Sequence, residues 1–297
     1  MNLVIAGGTG FIGAPLCRAL AQRGHALTVI SRRPAVEHGI PVISWDADWP
    51  RAVAQAEAII NLAGEPIAGK RWTAPQKQRL RESRIGTTRR LVEAIAAAPR
   101  KPSLLINASA VGYYGPRGDE PLGEEAPPGE GFLAELCRAW EAEALRAEGL
   151  GVRVALLRIG IVLGPGGGAF SKMAPPFRLG LGGPLGNGRQ WLSWIHRDDV
   201  HGLIEWIMAH PEIGGPVNAT APEPVTMRQF CEALGRALHR PSWLPAPAPA
   251  LRLLLGEMAE MLLTGQRVMP QAARRHHFSF RYPGLAEALA ACAESDG

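Results

Sequence analysis

Four glycines with one hydroxyl and two apolar residues between them, Gly7-Gly8-Thr9-Gly10-Phe11-Ile12-Gly13, stand directly behind the apolar run Leu3-Val4-Ile5-Ala6. They open the amphipathic stretch 11–23. That order reads as strand, glycine turn, helix. Glycines let the backbone turn tightly and approach a pyrophosphate, and the helix N-terminus offers N–H groups and a positive dipole end to the anion. A loose glycine triplet says little. This one has a strand before it, a helix after it and a second apolar strand, 26–30, at the spacing of a βαβ unit. The pattern predicts a dinucleotide held at Gly7, Thr9, Gly10, Phe11, Ile12 and Gly13; the alternative is a structural turn in a nucleotide-free α/β protein.

The end of the second strand selects the nucleotide. A unit built for NAD carries an acidic residue about 20 positions beyond the glycines, where it bonds the ribose 2′-hydroxyl. Here the strand ends in Ser31-Arg32-Arg33, with no carboxylate. Guanidinium groups fork onto phosphate oxygens, so these three residues point to the 2′-phosphate of NADP (NADPH). The competing reading is a solvated arginine pair on a chain whose 32 basic residues are mostly arginine. Arg84 is a further candidate. Leu80, Thr88, Leu91 and Ile95 mark the inner stripe of a helix, and Arg84 falls within it. A guanidinium on a buried stripe is costly without an anion. The partner is either a cofactor phosphate or an internal carboxylate.

Strands alternating with helices must position these residues. Further strands are expected at 41–45, 58–62, 103–108 and 152–158. Long helices are expected from the capping box Thr73-x-x-Gln76 to about 97, and over 131–147. This alternation predicts an α/β fold with a doubly wound, Rossmann-type parallel sheet, whose ligands sit at the carboxyl ends of the strands. Gly7–Gly13, Ser31–Arg33, Leu62-Ala63-Gly64 and 109–114 fall along that edge. After Ile159 the texture changes to glycine and proline. The expected organisation is an NADP-binding core over 1–165, with 195–220 returning to it. Segments 166–194 and 221–297 form a small, mostly helical substrate lobe, including the capping box Thr226-x-x-Gln229.

Composition excludes several classes. The net charge of +5 is modest and the basic residues are scattered, without a basic-aromatic stripe, so nucleic acid is not an expected partner. No apolar run reaches about 18 residues, so no membrane span or membrane partner is expected. The chain starts straight into its first strand, so no signal peptide is expected. Cys17, Cys137, Cys231 and Cys292 lie far apart without Cys-x-x-Cys spacing, which argues for a reducing, cytoplasmic setting and no metal site.

The same motifs, with Asn61-Leu62-Ala63-Gly64, Ala-Ser-Ala-Val-Gly-Tyr-Tyr-Gly at 108–115, Arg158-Ile-Gly-Ile-Val-Leu-Gly-Pro-Gly-Gly and Trp-Ile-His-Arg-Asp-Asp-Val at 194–200, resemble the extended short-chain dehydrogenase/reductase family. Ser83-Arg84, the run 177–184 and Gln266-Arg267-Val268-x-Pro270 resemble its atypical, sugar-nucleotide epimerase-like branch, which carries a C-terminal domain of unknown function. The resemblance implies a catalytic Ser or Thr with Tyr-x-x-x-Lys, the lysine charge bringing a tyrosine toward acid–base work near neutrality. Tyr113, Tyr114 and Tyr282 are the only tyrosines, and none has a lysine four residues on. Aligning the helix on Trp140-Glu141 puts Leu133 at the tyrosine and Cys137 at the lysine. Ser109 occupies the family's hydroxyl position, and Tyr113 or Tyr114 is left as the proton donor. Each has a structural alternative, as a turn residue or a packed ring.

The segment 170–194 would border the substrate, with Lys172, Arg178, Arg189 and His196 as anion partners or as ordinary surface and structural residues. Two functions follow. One is an NADP-dependent oxidoreductase or epimerase-like enzyme, moving a hydride to or from a small carbonyl, alcohol or nucleotide sugar. The other is a non-catalytic NADP-binding sensor or partner-binding module, favoured by the missing Tyr-x-x-x-Lys. Family members often pair into homodimers; the sequence leaves that open here.

Overall fold

The computed structural model describes residues 1–32 and 39–294. Seven strands form one parallel sheet: β1 (Asn2–Ala6), β2 (Ala26–Ser31), β3 (Val42–Ser44), β4 (Ala58–Asn61), β5 (Leu104–Ala110), β6 (Arg153–Ile159) and β7 (Gly215–Ala219). Their spatial order is β7-β6-β5-β4-β1-β2-β3. The chain runs outward from β1 to one edge, then returns and builds the other side, so the order reverses beside β1, where open α/β sheets bind their ligands. The strands are near-continuous apolar runs because helices cover both faces. Leu3 and Ile5 of β1 face the helices α1 (Gly13–Gln22) and α7 (Arg197–Ala209). Val4 and Ala6 face α2 (Pro50–Gln55), α4 (Thr87–Ala97) and α5 (Phe132–Leu145).

Two expectations are adjusted. The helix expected from Thr73 to about 97 is three pieces: α3 (Ala74–Arg81), a π-helical turn over Glu82–Gly86, then α4. The Thr73 hydroxyl accepts from Gln76 N at 3.4 Å, but the Gln76 amide does not reach back, and both its polar atoms are buried without a partner among the described residues. The Thr226 and Gln229 box, by contrast, closes in both directions at the start of α8 (Met227–Ala237).

Beyond the sheet, α6 (Phe170–Arg178), α8 and a closing helix, Leu285–Glu294, pack around Phe177, Trp194, Phe230 and Leu289. Between them, α9 (Ala248–Leu255) follows the proline-rich connector. The segment after α9 returns to the core. Arg267–Val268 pairs with Pro121–Leu122, and Phe278 and Phe280 pack against the first face of the sheet.

Candidate functional site

The site is built along the carboxyl ends of β2, β1, β4, β5 and β6. Gly7 closes β1 in the left-handed region at φ 80°, and a Cβ there would lie 2.7 Å from the Leu62 carbonyl carbon, so only glycine fits this turn. The turn is tied by Gly10 N donating to Gly7 O at 3.0 Å. Helix α1 then starts with no side-chain cap and no acidic residue in its first turn, leaving its positive end to an outside anion. Thr9 and Ser31 hydroxyls meet at 3.0 Å, joining the glycine turn to the end of β2. Phe11 lies under the Arg197 guanidinium at 5.0 Å, and Ile12 O accepts from His201 Nε2 at 2.9 Å.

Arg32 follows Ser31 and is largely exposed; its Nη1 donates to Glu65 Oε2 at 3.1 Å. Arg33 lies outside the described residues. Since β1 stands between β2 and β4, the Arg32–Glu65 pair spans the end of the strand that carries the glycine turn. Glu65 comes directly after Leu62-Ala63-Gly64, and its backbone N–H donates to Ser83 Oγ at 3.0 Å. Ser83 belongs to the π turn and donates in turn to Leu80 O at 3.2 Å. The wider turn moves Arg84 out of the stripe of Leu80 and Thr88 and sets its guanidinium against Gly64, with Cζ 3.1 Å from where a Cβ would stand. Arg84 also lies over the Trp140 ring at 5.3 Å. No described carboxylate is within ion-pair distance of it, and burial pushes its pKa below the usual arginine range. A cofactor phosphate therefore fits Arg84 better than an internal acid does.

Beneath this edge a polar network fixes β4, β5, α4 and α5. Asn61 Nδ2 donates to Thr88 Oγ1 at 2.9 Å and to Asn107 Oδ1 at 2.7 Å, and Trp140 Nε1 donates to Thr88 Oγ1 at 2.9 Å. A second network holds the residues expected to be catalytic. Ser109 is 3% exposed and donates to Glu141 Oε1 at 2.6 Å. Glu141 is gripped at both oxygens by Arg158, Nε and Nη2 each at 2.8 Å. Arg158 Nη1 donates to the Tyr114 hydroxyl at 2.9 Å and to Glu124 O at 3.0 Å. The Tyr114 hydroxyl itself donates to Asn218 Oδ1 at 2.7 Å. Burial pushes Tyr114 up to about 12, against the opposing charge of Arg158. Burial disfavours the Arg158 charge, yet Glu141 outweighs it and holds the pKa above the arginine range.

Tyr113 is placed differently. It is half-buried, its ring lies 3.5 Å beneath the Arg158 guanidinium, and its hydroxyl makes no hydrogen bond among the described residues. Leu133 and Cys137, at the tyrosine and lysine positions of the resemblance, cannot replace them. Leu133 packs with Trp72, Phe132 and Met258. Burial pushes the Cys137 thiol up to about 12.

Two of the outer basic residues, Lys172 and His196, are occupied locally. Lys172 donates to Ala68 O at 3.1 Å. His196 is a buried N-cap of α7, accepting from Asp198 N at 3.2 Å, with its ring tilted 46° against Tyr282 at a centroid distance of 4.0 Å. Burial lowers its pKa to about 4. Sequence reasoning did not single out Glu65, Glu124, Glu141 or Asn218, nor the part Arg158 plays. One signal was available for that buried pair: Arg158 ends the apolar run 154–157, and Glu141 adjoins the apolar face of α5.

Comparison with known proteins agrees with this geometry. Residues 3–219 match the model of the NAD dependent epimerase/dehydratase family, and residues 246–292 match a domain of unknown function, DUF1731. The chain is 43% identical to the chloroplastic epimerase family protein SDR39U1 homolog of Arabidopsis thaliana, over 98% of this chain and 86% of that protein. It is 39% identical to the epimerase family protein YfhF of Bacillus subtilis, over 97% of each. The crystal structure of human epimerase family protein SDR39U1 with NADPH superposes with a TM-score of 0.92 at 37% identity, over 99% of both chains. The UDP-glucose 4-epimerase of Thermus thermophilus, in complex with NAD, has a TM-score of 0.80 at 19% identity, covering 99% of this chain and 98% of that one; at that distance the likeness speaks for the fold.

Proposed function

Because this chain belongs to the NAD dependent epimerase/dehydratase family, we propose that it binds NADPH along the carboxyl edge of the sheet. We further propose that it moves a hydride between that cofactor and a small carbonyl, alcohol or nucleotide sugar. The single observation that carries the cofactor reading is the cationic, carboxylate-poor end of β2 beside a close-approach glycine turn. Gly7 leaves no room for a side chain, α1 presents an uncapped N-terminus, and Arg32 stands where NAD-specific units carry an acid. The human relative crystallised with NADPH supports the same choice. Arg84, with no carboxylate partner among the described residues, would neutralise a phosphate. Leu62, Ala63 and Gly64 would form the wall of the groove.

The cofactor, when bound, supplies the hydride. The chain must then supply a group that exchanges a proton with the substrate oxygen. Ser109 and Tyr114 are committed to the Glu141–Arg158 pair, so their role is to hold it. Tyr113 is the remaining candidate of the three, half-buried, with Arg158 over its ring. A reducing compartment, the cytoplasm in the simplest case, suits four cysteines that form no disulfide among the described residues.

One observation favours the second reading, a cofactor-binding module without turnover: the apolar Leu133 and the neutral Cys137 leave no ammonium to activate a tyrosine. Titration of nucleotide-free protein with NADPH and NADH, followed by nicotinamide fluorescence, tests the cofactor. NADPH is expected to bind more tightly, and Arg32→Asp to cost more affinity for NADPH than for NADH. Equal losses would place the 2′-phosphate elsewhere. A carbonyl panel then separates enzyme from module: Tyr113→Phe should lower turnover while NADPH affinity stays. Absence of turnover with every substrate supports the module.

A further inference from the structure

The strongest feature outside the cofactor groove is an exposed apolar face without acidic residues. Leu179, Leu181, Trp243, Leu244, Leu253 and Leu254 are 42–79% exposed. Two segments build this face and are laced together. Trp243 Nε1 donates to Gly180 O at 3.1 Å, and the backbone N–H groups of Trp243 and Leu244 both donate to Gly182 O at 3.0 Å. Arg240 Nε donates to Arg178 O at 3.3 Å. Helix α9, which carries Leu253 and Leu254, begins only a few residues after Leu244. No Asp or Glu occurs from Phe170 to Arg197, or from Ala233 to Gly256, while Lys172, Arg178, Arg189, Arg236, Arg240 and Arg252 do. The acids at its margin are Glu232, which shares a surface hollow with Arg236 and Arg240, Glu257, paired with Lys77 at 2.6 Å, and Glu260, paired with Arg252 at 2.9 Å.

We propose that this face docks on a membrane surface rich in anionic lipid. Tryptophan and leucine enter the boundary between headgroups and acyl chains, and arginines meet the phosphates; that pairing is the chemistry of an interfacial contact. Exposed leucines and a tryptophan gathered where these two segments meet call for such a cover, since large contiguous apolar patches on a protein surface mark sites of contact. A second copy is a poor cover, because it would bring the same cations against each other. The sequence reading excluded a membrane partner for want of a span. No helix among the described residues is long and apolar enough to cross a membrane, and a contact at the surface needs none.

The test uses the full chain, with and without NADPH, sedimented with vesicles of phosphatidylcholine alone or of phosphatidylcholine with phosphatidylglycerol. The protein is expected to pellet with the anionic vesicles, to be released by salt, and to stay in solution with the neutral ones. Trp243→Ala and the double variant Leu253→Ser/Leu254→Ser should each weaken that binding by about tenfold. Both should keep the thermal midpoint of the parent, and Arg51→Glu on α2 should bind as the parent does. No binding to anionic vesicles at low salt overturns the proposal. So does binding that the face variants leave unchanged. A concentration-dependent dimer that Trp243→Ala abolishes would give the face to a second copy and overturn it as well.

Discussion

Arg158 makes four side-chain hydrogen bonds near the strand ends, and they tie two of the expected catalytic groups into one buried network. Its guanidinium satisfies both Glu141 oxygens, the Tyr114 hydroxyl and the Glu124 carbonyl, all within 3.0 Å. A buried pair adds little stability over an apolar equivalent, but removing one partner strands the other charge. Glu141→Gln is therefore expected to cost about 3–5 kcal/mol in denaturant unfolding. Ser109→Ala removes one hydrogen bond to a charged acceptor that Arg158 still satisfies, and should cost only about 1–2 kcal/mol. Equal costs would mean that Ser109, rather than Arg158, holds Glu141. Ser109 and Tyr114 could be picked out from their types and neighbours. Their commitment could not, because it depends on Glu141, Arg158 and Asn218, which come from three elements far apart in sequence. Glu65 was hidden for the same reason: it follows Gly64 in the chain but meets Arg32 across β1. An exposed pair of this kind contributes about 1 kcal/mol or less. Glu65→Gln should then raise NADPH affinity by about two- to fivefold by freeing Arg32, and leave NADH unchanged. Weaker NADPH binding in that variant would instead make Glu65 the residue that positions Arg32.

At the scale of elements, periodicity gave the strands and most helices because each element repeats one local pattern against one layer. It fails where a tertiary demand breaks the repeat. The stripe Leu80, Arg84, Thr88 reads as one continuous helix face, yet the π turn over Glu82–Gly86 inserts extra room and delivers Ser83 and Arg84 to the cofactor edge. Nothing local announces it; the reason is the Glu65 N–H that Ser83 receives from another loop. Helix α7 shows the converse, a functional-looking residue with a structural task. His196 caps α7 through Nδ1, so it must stay neutral on that atom, and burial lowers its folded pKa to about 4 from the ordinary 6.5. The unfolded chain then binds the proton more readily than the folded one. This contribution is complete above about pH 6.5 and is lost as pH falls toward 4. His196→Asn keeps an N-cap without the titration. The difference in unfolding free energy between parent and variant should shrink or reverse over that window and be constant above it. A difference that is flat through the window would remove His196 from the acid sensitivity, leaving buried His201, which burial also lowers, as the source.

The two matched families divide the chain near residue 220, as if a nucleotide-binding domain were followed by a separate appendix. The packing contradicts separability. Residues 264–282 come back across the core. Val268 joins Leu122 and Tyr114 in one buried cluster, and Ala272 N donates to Glu124 Oε1 at 3.0 Å. Arg281 N and Tyr282 N both donate to the Asp199 carboxylate, at 2.6 and 3.0 Å. Asn218, which accepts from the Tyr114 hydroxyl, itself donates to Met269 O at 3.0 Å. The C-terminal segment thus completes the same polar network that holds Arg158, and it covers the sheet through Phe278 and Phe280. A chain ending after residue 245 would expose that apolar face, leave Asp199 buried without either backbone donor and leave Glu124 with only the Asn218 N–H, each a costly loss. The full chain is therefore expected to unfold in one cooperative transition that NADPH shifts upward as a whole. The truncated chain should lack a cooperative transition and bind the apolar dye ANS. A truncated chain that melts sharply and still binds NADPH would show that the core stands alone, and that the returning segment serves only the far side of the molecule.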